Sequence, residues 1–91
     1  MLFRSVDRGL MDLVSVYRDA IAVATGAQGP LVNEEIRGDV ELVARTASPE
    51  QNLQRIAAIF AAREQMLEFN VPVPLALESM MVALKVPERA R

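Results

Sequence analysis

The chain is 91 residues long, carries a formal net charge of −2 and is 52% apolar, which suits one folded domain around a single small core. It contains neither cysteine nor histidine, which removes disulfides, thiol nucleophiles, imidazole bases and the usual zinc ligands. The arginines are spread from Arg4 to Arg91 without a cluster, and the longest apolar run, 56–62, is far too short for a bilayer, so the sequence supports neither direct nucleic-acid contact nor a membrane partner.

Phe3, Val6, Leu10, Leu13, Val14, Tyr17 and Ile21 recur at steps of three and four, which predicts a long amphipathic opening helix. Gly9 inside it costs about 1 kcal/mol relative to alanine, so an irregularity is expected there. Arg4 follows Met1, Leu2 and Phe3 directly, leaving no secretory apolar stretch, and a cytoplasmic location is expected. Gly26 is placed to end the helix, and 28–30 to form a loop. Asn33 reads as an N-cap, with Glu34 and Glu35 in a first turn where acids suit the helix dipole. Gly38 and Asp39 interrupt this segment, predicting two short helical pieces over about 34–37 and 39–46, with Val40 and Val43 facing the core.

Residues 48–51, Ser-Pro-Glu-Gln, form a strong helix start. Ser48 caps, Pro49 takes the first helical position, and Gln51 reaches back to complete a capping box. The helix that follows is expected to bury Leu53, Ile56, Ala57, Phe60 and Leu67, widened by Ile59 and Met66, and to end near Phe69 with Asn70 left-handed. Pro72 and Pro74 impose an extended link, and Pro74 can open a last helix over 74–85 that Val86 and Pro87 stop. On that helix Ala76, Leu77, Met80, Met81, Ala83 and Leu84 cover one broad arc, while Leu75 and Val82 fall on the other side beside Glu78, Ser79 and Lys85. A helix apolar almost all round is either sandwiched within its domain or shared with a neighbour. In so short a chain the shared reading is the more economical, and Leu75, Glu78, Ser79, Val82 and Lys85 are the candidate subunit interface. No alternating apolar run bounded by turn residues marks a strand. The expectation is an all-α fold, a single domain over 1–91, forming a compact bundle of four to five helices that ends in an antiparallel helical hairpin.

The polar clusters carry little chemistry. Tyr17 is expected at the edge of the core, with Arg18 and Asp19 in water. Glu34, Glu35, Asp39 and Glu41 read as helix-start acids and a solvated face rather than a cation site. Residues 26–29 lack the lysine of a phosphate loop. Arg63 and Glu64 lie within or beside the apolar arc of the third helix, so Arg63 is expected either at an exposed rim or in a structural ion pair, with Glu78 across the hairpin as its candidate partner. No catalytic residue, cofactor or metal ligand is assigned, and an enzyme is not expected.

Residues 13–20 (Leu-Val-Ser-Val-Tyr-Arg-Asp-Ala), the helix start over 48–56, and Asn70-Val71 leading into Leu75-Ala-Leu-Glu-Ser-Met-Met-Val-Ala-Leu84 together resemble the C-terminal domain of the delta-prime subunit of bacterial DNA polymerase III, nearest its actinobacterial branch. The resemblance covers most of the chain and rests on helical patterns rather than catalytic signatures. It implies a part of the clamp loader, a five-subunit AAA+ assembly that places the sliding clamp on primed DNA during replication. The subunits of that assembly end in helical domains packed side by side as a collar. This domain would then serve oligomerisation, with the delta and gamma/tau subunits as partners, no cofactor and no chemistry of its own. The family has its proline at the position of Val73, whereas here Pro72 and Pro74 flank that position, which bears on how the last helix is capped. The collar domain of another loader subunit such as gamma/tau is the alternative; such a chain continues beyond its collar, whereas this sequence stops soon after Leu84. A free-standing helical partner-binding domain is a further reading, and the apolar back of the last helix leaves the isolated domain able to self-associate.

Overall fold

The computed structural model describes residues 2–85, with side chains from Arg4 onward. The packing of Phe3 and the stop at Val86 and Pro87, both expected from the sequence, lie outside the described residues. The first helix, α1 (Leu2–Thr25), runs unbroken through Gly9. A Cβ at Gly9 would meet nothing within 4 Å, so the position costs only its helix propensity, which the flanking turns absorb without a break. Beyond Thr25 the chain closes as the sequence suggests. Gly26 takes φ 75°, its N–H donates to the Val23 carbonyl at 3.2 Å, and the Ala27 N–H donates to the Ala22 carbonyl at 2.9 Å. That is the paired closure a left-handed residue permits.

A 3-10 turn over Glu34–Ile36 leads straight into α2 (Arg37–Thr46). Two helical pieces are present, but their boundary falls between Ile36 and Arg37, and Gly38 lies within the first turn of α2. Asn33 does not cap this segment. Its side chain donates instead to Asp19 Oδ2 at 2.8 Å and to Ser15 Oγ at 3.1 Å, because a charged acceptor on α1 is a stronger partner than a helix-start N–H. Glu34 serves the turn in another way. Its carboxylate accepts from the Arg37 guanidinium and the Leu31 N–H, which together hold its pKa below the usual value.

The capping box at the start of α3 (Pro49–Glu68) is complete: the Gln51 N–H donates to Ser48 Oγ at 3.1 Å, and the Ser48 N–H donates to Gln51 Oε1 at 2.8 Å. Asn70 takes φ 53°, and the Val71 N–H turns back to the Gln65 carbonyl at 3.0 Å. The chain then reverses into α4 (Val73–Leu84). Pro72 is the capping residue and Pro74 the second helical residue, so neither proline removes a helical hydrogen bond; the Ala76 N–H donates to the Pro72 carbonyl at 3.0 Å.

In space α2 packs on α1, α1 on α3, and α3 on α4. The result is a flattened bundle whose principal extents are 39 × 34 × 17 Å. Leu10 and Val14 of α1, Ile59, Ala62 and Met66 of α3, and Ala76 and Met80 of α4 form the core, while Val40 is buried on the α2 side. So thin a bundle cannot cover every apolar arc its helices carry, and two expected arcs are corrected accordingly. On α3 the buried row is Asn52, Ile59, Ala62 and Met66, with Ile56 half-buried; Leu53, Ala57, Phe60 and Leu67 are exposed. On α4 only Ala76 and Met80 are fully covered, Leu77 and Leu84 are half-buried, and Met81 and Ala83 face outward.

Candidate subunit interface

The outer side of α4 carries a row that the rest of the domain leaves uncovered. Leu75 is 57% exposed and Val82 67% exposed, with Glu78 and Ser79 between them, also exposed. These four residues line one open groove with Gln65 of α3 and Val71 of the hairpin link. Lys85, exposed at the C-terminal end of the same side, completes the set read from the sequence. The geometry follows from α4 being pinned on its opposite side: Ala76 and Met80 are locked into the core, so residues one position before or two beyond them must point away.

The far end of α4 is held by Arg55. Its Nε donates to the Leu84 carbonyl at 2.9 Å, its Nη1 donates to Asn52 Oδ1 at 2.9 Å, and its guanidinium carbon lies 5.1 Å from the centroid of the Tyr17 ring. One cation thus ties α1, α3 and the negative end of the α4 dipole together, and fixes the orientation of the outer row. Asn52 is fully buried, and among the described residues its Nδ2 has no partner.

Arg63 forms its ion pair with Asp7 of α1, not with Glu78, and stacks over Phe60 with its guanidinium carbon 5.9 Å from the ring centroid. The pairing with Asp7 holds the guanidinium pKa above its ordinary value. Helix spacing explains the correction: Arg63 lies on the flank of α3 that faces α1, whereas α4 packs along the flank of Ala58, Ala62 and Gln65. Among the described residues Glu78 has no ion-pair partner, and both it and Glu64 are exposed.

Nothing in the local pattern announces the role of Asp19. Expected in water, it is 5% exposed, and its carboxylate accepts from the Val32 N–H at 3.0 Å, the Asn33 N–H at 2.7 Å and the Asn33 side chain. This clamp fastens the loop between α1 and α2. Asn33 lies 14 residues away, beyond that loop, where helical spacing gives no guide to contacts. Arg18, by contrast, is exposed, and Tyr17 is packed against the core as expected.

Among the described residues no group of three or more histidine, cysteine, aspartate or glutamate side chains is placed to hold a metal ion. No described helix is long and apolar enough to cross a membrane. What the arrangement offers is an apolar row with polar members at its centre, suited to packing against another protein. A family model for the C-terminal part of the DNA polymerase III delta subunit matches residues 8–85. Neither a curated protein nor a solved structure matches the chain.

Proposed function

The chain belongs to the family of C-terminal domains of the DNA polymerase III delta subunit, and on that premise we propose that it is an assembly domain of the clamp loader, packing through the outer row of α4 against the collar domains of neighbouring subunits. The observation that carries this reading is the exposure of Leu75 and Val82 on a helix whose opposite side is locked into the core. The finer assignment, to a delta-prime subunit of actinobacterial type with delta and gamma/tau as its neighbours, rests on residues 13–20, 48–56 and 70–84, which resemble that subunit. The domain performs no chemistry, binds no cofactor and works in the cytoplasm as an accessory part of the replicative polymerase.

Val82→Arg tests the interface. The side chain is exposed, so the isolated variant is expected to melt within about 0.5–1 kcal/mol of wild type. Against a partner the new charge is desolvated without a counter-ion, and capture of delta and gamma/tau in a pull-down is expected to weaken about tenfold or more. Undiminished capture by the folded variant rejects the α4 interface.

A further inference from the structure

A second apolar row lies on a different side of the bundle. On α3, Leu53, Phe60 and Leu67 recur at seven-residue steps and are 57%, 43% and 55% exposed. On α1, Arg4, Met11 and Arg18 recur at the same step and are exposed as well. Seven residues close nearly two helical turns, so each set forms an almost straight line along its helix. The Asp7–Arg63 ion pair and the stacking of Arg55 on Tyr17 fix an antiparallel register between α1 and α3. That register sets Arg18 beside Leu53, Met11 beside Phe60 and Arg4 beside Leu67. At one end, Arg18, Leu53 and Phe60 line an open groove of about 520 Å³ with Val14, Ile21 and Ile56. Gln65, which borders the α4 groove, is five residues from Phe60, or about 140° around α3, so the two surfaces face different ways.

Charge on this face is one-sided. Arg8, one turn from Arg4, is exposed alongside the row. Of the acids near this side of α1, Asp7 is already engaged by Arg63, and exposed Asp12, one turn beyond Arg8, lies about 100° from Met11 on the side away from α3. Glu64 sits on the flank of the α3 row away from α1, so the α1 flank is positive and the ridge apolar.

We propose that this face docks an amphipathic helix of a partner protein, with its apolar row on Leu53, Phe60 and Leu67 and a line of carboxylates along the flank that meets Arg4 and Arg18. Charge complementarity selects this occupant. A second copy pairing α3 against α3 in antiparallel fashion would lay one arginine row over the other, which like-charge repulsion opposes. A parallel pairing would set that row against Glu64, and a dimer of the chain alone that the glutamate helix fails to displace overturns the proposal. A nucleic-acid strand would satisfy the arginines but leave Leu53 and Leu67 unfilled, with Phe60 as the lone aromatic ring on which to stack among the described side chains of this face. The face is separate from the α4 row, and the proposal does not depend on which assembly that row joins.

The test is fluorescence anisotropy with the folded chain and three labelled probes: a synthetic helix with a leucine heptad row flanked by glutamates, the same helix flanked by lysines, and a single-stranded oligonucleotide. The glutamate helix is expected to bind about tenfold or more tightly than the lysine helix, with an affinity that falls as salt rises. Arg4→Glu combined with Arg18→Glu, and separately Phe60→Ser, are each expected to weaken that binding about tenfold, while thermal melts show both variants folded. Val82→Arg, on the other surface, is expected to leave it unchanged. Absence of saturable binding, equal affinity for the two helices, or unchanged affinity in the folded variants overturns the proposal. Tighter binding of the oligonucleotide, lost in the same arginine variants, assigns the face to nucleic acid and overturns it too. Loss of peptide binding in Val82→Arg moves the site to α4.

Discussion

Ile59→Ala is expected to destabilise the domain by about 2–5 kcal/mol. Ile59 has no exposed surface and lies at the centre of the core, in the cluster that Leu10 and Val14 approach from α1 and Ala76 and Met80 from α4. Three helices meet there, so the bundle cannot collapse onto a smaller side chain without moving one of them, and most of the cavity persists. A domain of this size has about 5–15 kcal/mol of stability in total, and its melting temperature falls by about 10 °C or more for such a loss. Phe60→Ala, one residue along the same helix, removes a larger side chain that is 43% exposed and is expected to cost about 1 kcal/mol or less. Thermal melts of the two variants side by side check the assignment, and the reverse ranking would place the core on the wrong row of α3.

Asp19→Ala is expected to cost about 1–3 kcal/mol, through a different mechanism. It removes the acceptor for two backbone N–H groups and the Asn33 amide at once, at a carboxylate that is almost fully shielded although Val32 itself is exposed and Asn33 half-buried. Water can reach the exposed end of this loop and replaces part of what is lost, so the cost is that of three charge-assisted bonds discounted for solvent. Asp19→Asn retains one carbonyl oxygen but turns an NH2 toward these donors, and is expected to recover only part of the loss. The effect is local in character: α2 loses its fixed approach to α1, so amide exchange at Val32 and Asn33 is expected to accelerate far more than at Ile59. Uniform acceleration through the whole bundle would mean that the clamp is not a separate unit.

These two residues also show where the sequence was informative and where it was not. Element identity was legible because it is written in local chemistry: the capping box at Ser48 and Gln51 and the left-handed positions at Gly26 and Asn70 appear where expected, and the prolines mark the start of α4, which falls at Val73 rather than at the expected Pro74. The core row of α3 was not. Asn52, Ile59 and Met66 recur at seven-residue steps, and so do Leu53, Phe60 and Leu67, one residue further on. The second row is the more apolar of the two, and periodicity alone therefore favours it. Docking of α1 and α4 selected the first, with Oδ1 of Asn52 at the polar end of that row accepting from Arg55. Leu75 and Val82 were legible as an outer row because the prolines at 72 and 74 bracket the start of α4 and the heptad separating them is short enough for no phase error to accumulate. Arg63 and Asp19 depend on partners 56 and 13–14 residues away, across loops whose path no local pattern encodes.

The bundle therefore presents a pinned helix with an uncovered outer row and, on another side, an apolar ridge beside arginines. Neither row is needed to stabilise the core, and both are suited to contacts beyond it. Assembly is the function at stake, and native mass spectrometry of the chain mixed with purified delta and gamma/tau subunits measures it most directly. Incorporation of one copy per assembly is expected for the wild-type chain, with marked loss of that species for Val82→Arg. Failure of the folded wild-type chain to enter any complex with those subunits would contradict the proposed role as a clamp-loader assembly domain.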